Sequence, residues 1–176
     1  DFHGKPLISW AIERALALND VNSIIVSTDC EKIAAVAKKY GADIPFIRPK
    51  ELAEDNSSEW LAWRHALKFV ESDTGKMPDA MISIPTTAPL RNTSDLRRCL
   101  DLFIEKRPDA VITVTEARRS PYFNMVKKDD NEMVSLAADM HQKLIRRQDC
   151  PKLYDVTTVA YVLNSKFVTE NESLFE

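Results

Sequence analysis

Apolar residues repeat at intervals of three and four along several stretches of the chain, which is the spacing of an amphipathic helix. The first stretch follows Lys5, and the second ends at Gly41, a residue type that commonly closes helices. Two more follow the polar residues around Ser58 and the segment after Arg91. The pattern therefore predicts four helices in the first two thirds of the chain.

Short apolar runs that are typical of buried strands separate these helices. Their sequences are NSIIVST, DIPFI, DAMISI and DAVITVTE, and the proline in the second indicates an edge or irregular strand. Strands that alternate with helices of about 10–15 residues indicate right-handed βαβ units. We therefore expect an α/β fold with a mostly parallel sheet.

The alternation of helices and strands ends beyond Glu116. A hairpin is predicted around Asp129, Asp130 and Asn131, whose two acids belong to a solvated turn, and two further extended segments flank Cys150. The sequence thus predicts one domain over residues 1–176 with a β-rich elaboration near its end.

Composition narrows the classes of function. The 176 residues suffice for one domain with a core, and a net charge of −3 with interspersed signs offers no basic face to nucleic acid. The apolar runs are as short as strands, so no membrane span is expected, and no secretory signal begins the chain. Three widely spaced cysteines, an odd number, indicate reduced thiols and a cytoplasmic protein.

Glycine and histidine usage excludes two kinds of site. The chain has three glycines, no two of them close together, whereas a loop that cradles phosphate needs clustered glycines. The three histidines have no common spacing, and neither a Ser-His-Asp arrangement nor a metal-ligand constellation can be assembled. We therefore predict neither a phosphate loop nor a metal site within this chain.

Polar loops follow three of the predicted strands, and in open parallel sheets ligands bind beyond the carboxyl ends of the strands. The loops are Ser27–Asp29, Arg48–Ser58 and Pro85–Arg91. In the first two, Asp29 and one of Ser57 and Ser58 are also suited to helix capping. Arg48 is either a surface arginine or a guanidinium available to a phosphate or a base carbonyl.

The third loop and a later charge cluster carry similar alternatives. The hydroxyls of Thr86 and Thr87 are common in turns, and Arg91 is spaced to pair with Asp95. The cluster RRQD, residues 146–149, lies in predicted extended sequence between apolar residues and a Cys-Pro pair. It indicates a bound anion or an interface, or else a surface charge patch.

Five segments of the chain occur in an order that is specific to one family. They are FHGKPLISWAIERAL, IIVSTDCEKIAAVAKKYGADIPFIRPKELAEDNSS, PTTAPLR, SPYFNM and RRQDCPKLY. Together they strongly resemble the acylneuraminate cytidylyltransferases, the CMP-sialic acid synthetases, and they cover nearly the whole chain. The resemblance implies a Rossmann-like nucleotidyltransferase fold, that of the nucleotide-diphospho-sugar transferases, and a homodimer in which the β-rich elaboration serves dimerisation.

The resemblance also implies a reaction and its participants. CTP and a 2-keto sugar acid, a sialic acid or related nonulosonate, would give the CMP-sugar and pyrophosphate with the help of Mg²⁺. By motif, the nucleotide-binding residues would be Ser27, Asp29, Arg48, Asp55, Ser57 and Ser58. The sugar-binding residues would be Thr86, Thr87, Arg91, Arg146, Arg147, Gln148 and Asp149. Arg147 is the preferred contact for a carboxylate or phosphate, because a guanidinium binds either one through two hydrogen bonds.

The chain departs from the family at two substrate-facing places. Pro85 stands where relatives commonly have a glutamine that faces the sugar, and Thr157–Thr158 replaces an asparagine-glycine pair before the last strand. Proline cannot donate the hydrogen bond of that glutamine. Legionaminate or another 2-keto sugar acid therefore remains open beside N-acetylneuraminate.

The family's triphosphate loop and metal ligands have no counterpart in this chain. A Gly-rich basic segment precedes the GKPLI motif in the family, and an Asp-x-Asp motif follows the last strand and helix, whereas this chain runs from Asp1 to Glu176. We therefore expect the catalytic residues and the Mg²⁺ ligands outside it, and no turnover by residues 1–176 alone.

Two other interpretations compete with the cytidylyltransferase. One is a non-catalytic sugar-nucleotide-binding or dimerisation module that keeps the fold. The other is a sister nucleotidyltransferase acting on another sugar acid or on a sugar phosphate, which would require additional phosphate-binding cations.

Overall fold

The computed structural model describes residues 1–140 and 146–175, with Arg147 described by its backbone alone. The chain divides into two compact units. The first unit comprises Asp1–Thr113 and the residues from Thr158 onward, and the second comprises Val114–Thr157. Each unit is described by itself below.

The four predicted helices are confirmed, and a short fifth follows the last strand. They are α1 (Leu7–Leu16), α2 (Glu31–Lys39), α3 (Glu59–Thr74), α4 (Thr93–Lys106) and α5 (Ser165–Glu170). No helix in the described part of the chain is long and apolar enough to cross a membrane.

The helix ends follow local chemistry. Ser58 caps α3, because its hydroxyl accepts a hydrogen bond from Trp60 N at 3.2 Å. Gly41 follows α2 with φ +93°, and its N–H donates to Lys38 O, so the predicted helix end is confirmed. The predicted Asp29 cap is wrong: α2 begins one residue later, with Cys30 at the N-cap.

The strands are β1 (Ala80–Ser83), β2 (Ala110–Glu116), β3 (Val126–Lys128), β4 (Val134–Leu136) and β5 (Tyr154–Asn164). The main sheet has the order β1-β5-β2, and β1 pairs antiparallel with β5 from Ala80–Asn164 to Ser83–Tyr161. On the other side of β5, Asn164 N donates to Asp109 O and Ala160 N to Thr113 Oγ1, an antiparallel sequence of contacts. Because both neighbours run opposite to β5, β1 and β2 point the same way.

The first two predicted strands form a parallel pair joined by one ladder bridge, Ile25–Asp43. Asp43 N donates to Ile24 O at 2.7 Å, Val26 N to Asp43 O at 3.1 Å and Arg48 N to Thr28 O at 2.9 Å. Parallel pairing therefore occurs where the sequence predicts it, while β5 introduces an antiparallel strand between β1 and β2. The α/β class is confirmed.

Helices cover both faces of β5, because consecutive residues of a strand point to opposite faces. Val162 is buried with Leu96 and Cys99 of α4, while Leu163 is buried with residues of α3 and α5. A third cluster, Ile12, Ala37 and Ala42, joins α1 to α2. The first unit is thus layered, with helices on each side of the strand that separates β1 from β2.

The second unit contains the predicted hairpin. β3 pairs with β4 in antiparallel register, and Asp129 Oδ1 accepts hydrogen bonds from Asn131 N at 3.0 Å and Met133 N at 2.9 Å. The cluster at residues 146–149 was expected in extended sequence, but Arg147–Asp149 forms a short 3₁₀ helix. The extended segment predicted just before it lies largely outside the described residues.

Candidate functional site

Arg48 lies beside the loop Ser27–Asp29 because the parallel pairing continues to the ends of both segments. Its backbone N donates to Thr28 O at 2.9 Å, and its Nη2 lies 3.9 Å from Asp29 Oδ1. The side chain of Arg48 is 24% exposed and that of Asp29 is 43% exposed. The structure therefore brings together two of the predicted nucleotide-binding residues, with the guanidinium partly accessible.

Two polar atoms at this place lack a partner. Ser27 Oγ and Arg48 Nε are both buried, and neither has a hydrogen-bond partner within the described residues. Buried polar atoms in native proteins are ordinarily satisfied. Because the contact of Arg48 Nη2 with Asp29 is longer than a hydrogen bond, the guanidinium keeps donors available for a further acceptor.

The loop after Arg48 is folded onto itself by Ser57. Its hydroxyl donates to Glu51 O at 2.7 Å, and its backbone N donates to Glu54 O at 2.9 Å. Ser58 is occupied as the cap of α3, and Asp55 is exposed on the loop. The predicted capping by one serine is confirmed, while the nucleotide contacts of these three residues stay predictions.

Glu59 is a neighbour of Arg48 that the sequence analysis missed. Partial burial raises the pKa of the Glu59 carboxyl, while a hydrogen bond with Trp63 and the charge of Arg48 lower that pKa. Glu59 is the first residue of α3, where an acidic residue is common for helix stability alone. Because helix stability already explains an acid at this position, the sequence did not indicate its electrostatic interaction with Arg48.

The loop Pro85–Arg91 follows β1 and is anchored by its last residue. Arg91 is 4% exposed, and its Nη2 donates to Pro85 O and, at 3.1 Å, to Thr158 O. Burial lowers the pKa of Arg91 to about 10. The proposed pairing with Asp95 is replaced by these carbonyl contacts, since Asp95 accepts from Asn92 N and Arg98 instead.

The two loop threonines differ in exposure. Thr87 is exposed and its Oγ1 donates to Thr158 Oγ1 at 3.1 Å, whereas Thr86 is half-buried. Thr158 entered the sequence analysis only as a departure from the family pattern, and its contact with Thr87 spans 71 residues of sequence. Sequence spacing gives no signal for a contact of that range.

The third predicted group, residues 146–149, belongs to the second unit. Arg146 donates from Nε to Asp149 Oδ2 at 3.1 Å and from Nη2 to Asp149 Oδ1 at 3.0 Å. Gln148 is exposed, and the side chain of Arg147 lies outside the described residues. Arg146 and Asp149 therefore form a surface pair, and a sugar contact by any of the four residues stays a prediction.

The described residues do not fit a metal site by themselves. No group of three or more histidine, cysteine, aspartate or glutamate side chains within residues 1–140 and 146–175 could hold an ion. A cleft of about 560 Å³ in the first unit is lined by Ile25, Asp43, Phe69 and Asp73 among others, and by none of the predicted site residues. The candidate site therefore consists of the polar side chains in the loops that follow the strands, and not of a metal centre or of this cleft.

Comparison with known proteins identifies the family of this chain. The profile of the family described as Cytidylyltransferase matches residues 1–172. The chain belongs to the cytidylyltransferase family. It is an enzyme family of the nucleotidyltransferase type, so the strand-end residues of this cytidylyltransferase lie in a fold that other members use for nucleotide transfer.

Two relatives place the cytidylyltransferase among proteins named for nonulosonic acids. It is 33% identical to the pseudaminic acid cytidylyltransferase of Campylobacter jejuni over 180 residues, which cover all of this chain and 75% of that protein. It is 32% identical to the CMP-N,N'-diacetyllegionaminic acid synthase of Campylobacter jejuni, over 96% of this chain and 71% of the relative.

A solved structure shows the same fold. CMP:2-keto-3-deoxy-manno-octonic acid synthetase, solved in complex with CTP, superposes with a TM-score of 0.69 at 17% identity. The superposition covers 99% of this chain and 71% of that one. The Rossmann-like nucleotidyltransferase fold implied by the motifs is confirmed.

Proposed function

We propose that this cytidylyltransferase transfers CMP from CTP to the anomeric hydroxyl of a nonulosonic 2-keto sugar acid and releases pyrophosphate. The proposal is carried by the similarity, over nearly the whole of this chain, to relatives named for pseudaminic and legionaminic acids. In the reaction, the sugar hydroxyl oxygen bonds to the α-phosphorus while the bond to the bridging oxygen of the β-phosphate breaks. The hydroxyl proton passes to solvent, and pyrophosphate leaves with the electron pair of the broken bond.

The nucleotide side of the site is assigned to Arg48 and its surroundings. The side chain of Arg48 is partly exposed, and its Nη2 lies 3.9 Å from Asp29 Oδ1, beyond hydrogen-bond length. Such a donor suits the carbonyl oxygen of a base, which accepts hydrogen bonds but carries no full charge. Glu59 and Asp29 provide negative charge near Arg48, which keeps the side chain in place before the nucleotide arrives. Arg48 in this role selects and orients the base, and it leaves the chemistry at phosphorus to other groups.

The sugar side is assigned to the loop Pro85–Arg91. The exposed hydroxyl of Thr87 in this loop suits a polyhydroxylated ligand, because a hydroxyl both donates and accepts hydrogen bonds. Holding the sugar acid and the nucleotide together lowers the entropic barrier of a two-substrate reaction.

The proposal includes Mg²⁺, because phosphoryl transfer requires the negative charge of the phosphates to be neutralised. The described residues offer no three-ligand group for the ion, so no step is derived through it. A cytoplasmic location also belongs to the proposal, since CTP is a cytoplasmic nucleotide.

The proposal also includes a homodimer. Exposed apolar side chains concentrate in the second unit, among them Val126 (61%), Met133 (68%), Val134 (64%) and Tyr154 (56%). Surfaces of that kind on a soluble protein commonly mark an interface. Sedimentation of the protein encoded by the whole gene measures its oligomeric state, and a monomer at micromolar concentration would contradict this part.

Pyrophosphate release tests the reaction. The enzyme encoded by the whole gene is incubated with Mg²⁺, one nucleoside triphosphate and one acceptor. The acceptors are pseudaminic, legionaminic, N-acetylneuraminic and 2-keto-3-deoxyoctonic acids and, in a separate arm, a sugar 1-phosphate. Release with CTP and one acid, but with neither UTP nor ATP, is expected. Release only with a sugar phosphate would indicate the sister nucleotidyltransferase. Nucleotide binding without release across the panel would favour the non-catalytic module.

A further inference from the structure

Arg91 ties the loop after β1 to the strand that lies beside it. One acceptor of its guanidinium, Pro85 O, begins the loop, and the other, Thr158 O, belongs to β5. Because both acceptors are backbone carbonyls, the contact depends on the path of the chain and not on the side chains at those positions. The loop can therefore depart from β5 only by breaking these hydrogen bonds.

Among the described residues, Arg91 is held by hydrogen bonds and not by an ion pair. No carboxylate oxygen of the described residues lies within 4.0 Å of it, and its buried Nε has no acceptor there. Burial of the guanidinium lowers its pKa to about 10, which reflects the unfavourable loss of hydration. Replacing Arg91 alone would leave the carbonyls of Pro85 and Thr158 without this donor, so its hydrogen bonds fix one geometry of the loop.

The geometry that Arg91 fixes includes two exposed hydroxyls. Thr87 Oγ1 donates to Thr158 Oγ1 across 3.1 Å, and both residues are exposed at the surface of the first unit. With one donor used inside the pair, the hydroxyl of Thr158 still donates, and both oxygens retain acceptor capacity. Two hydroxyls at this separation match the neighbouring polar substituents of a sugar ring.

We infer that Thr158 is a specificity-determining residue for the sugar acid, that it acts together with Thr87, and that Arg91 is the positioning residue for both. The inference rests on the proposed function, because it names residues for the acid substrate of that reaction. It adds a residue of β5 to the sugar side and gives Arg91 a role through the loop in place of a direct contact.

Isosteric variants of the threonines test the inference in the enzyme encoded by the whole gene. Thr158→Val keeps the shape and removes one hydroxyl, and pyrophosphate release gives kcat and KM for the acid and for CTP separately. The expected loss in kcat/KM for the preferred acid is about 3–10-fold, the effect of one neutral hydrogen bond. The KM for CTP is expected to stay within about 2-fold.

A double variant and a control sharpen the result. Thr87→Val with Thr158→Val should lose less than the product of the single losses, because the two hydroxyls share a hydrogen bond. Thr169→Val removes a hydroxyl that donates to Lys166 O within α5, and no change in either KM is expected.

Arg91 variants test the positioning role. Arg91→Met should raise KM for the acid with little change in KM for CTP, and Arg91→Lys should recover part of that loss because an ammonium can reach one carbonyl. Hydrogen exchange of residues 85–91 should increase in Arg91→Met. If Arg91 had a purely structural role, Arg91→Met would lower the melting temperature and the yield without raising KM for the acid relative to KM for CTP. The exposed Thr158 variant keeps the test informative if Arg91→Met does not fold.

The outcomes separate this inference from the proposed function. If the wild-type enzyme releases pyrophosphate and Thr158→Val has unchanged constants and acid preference, the inference is overturned and the function stands. If the wild-type enzyme releases none with any acid of the panel, the function is overturned, and the inference with it.

Discussion

Replacing Arg48 with methionine tests the nucleotide side of the site. The substitution keeps most of the apolar stem and removes the guanidinium, whose Nε is buried without a partner in the described structure. We expect KM for CTP to rise and KM for the sugar acid to change little, because Arg48 is assigned to the base.

The contacts of Arg48 allow the effects of this substitution on KM for CTP and on the free energy of unfolding to be estimated. A hydrogen bond from a charged donor to the base is worth about 1.5–3 kcal/mol, which corresponds to a rise of about 10–150-fold in KM for CTP. Within the described residues, Arg48 forms one ion pair, the 3.9 Å contact with the 43% exposed Asp29. A pair of that kind contributes about 0–1 kcal/mol, so the free energy of unfolding should fall by no more than that.

Steady-state pyrophosphate release, with CTP varied at saturating acid, measures the effect on Arg48→Met and Arg48→Lys. Lysine retains the charge without the planar fork of donors, so an intermediate KM is expected. Arg97→Met is the matched control, because Arg97 pairs with Asp20 and Asp101 on the surface of α4. If Arg48→Met and Arg97→Met both keep the wild-type KM for CTP within about twofold, Arg48 does not bind the nucleotide.

Three further predictions concern stability and are measured by urea unfolding. Gly41→Ala should destabilise by about 1–2 kcal/mol and more than Gly75→Ala, because both have positive φ but only at Gly41 would a Cβ meet Leu16, at 3.3 Å from Cδ1; equal losses would contradict the contact. Asp95→Asn should cost about 1 kcal/mol at pH 7, since the folded pKa of Asp95 lies below its ordinary 3.8. Its carboxylate stabilises the fold above that value, so the difference from wild type should vanish as the pH falls through the folded pKa, and a constant difference would refute the capping role. Leu163→Ala removes most of a fully buried side chain and should lower the free energy of unfolding by about 2–5 kcal/mol. A loss of less than about 1 kcal/mol would contradict the burial of Leu163.

Local chemistry made much of the fold predictable from sequence. Gly41 closes α2 because glycine adopts positive φ without steric cost, and Ser58 caps α3 because its hydroxyl reaches the first free N–H groups. Both signals depend on residues a few positions apart. The Asp129 turn was predictable for the same reason.

Pairing between distant segments was not predictable in the same way. The segment that became β5 was recognised as extended, but its place between β1 and β2 depends on contacts such as Ala80–Asn164. The role of Arg91 was missed likewise, since its acceptor Thr158 lies 67 residues away and a nearer carboxylate, Asp95, offered a simpler partner. Periodicity carries no information about such partners.

The order of strands in the sheet has a consequence for synthesis of the protein. The strand in the middle, β5, is the last to leave the ribosome, whereas β1 and β2 on its two sides are made earlier. At about 5–20 residues per second, the roughly 48 residues from the end of β2 to the end of β5 take about 2–10 s to translate. Throughout that interval the nascent chain carries two strands whose shared partner does not yet exist, and exposed strand edges associate readily. A chain truncated before Asn164 would therefore be prone to aggregation, so the yield of this protein depends on uninterrupted translation through β5.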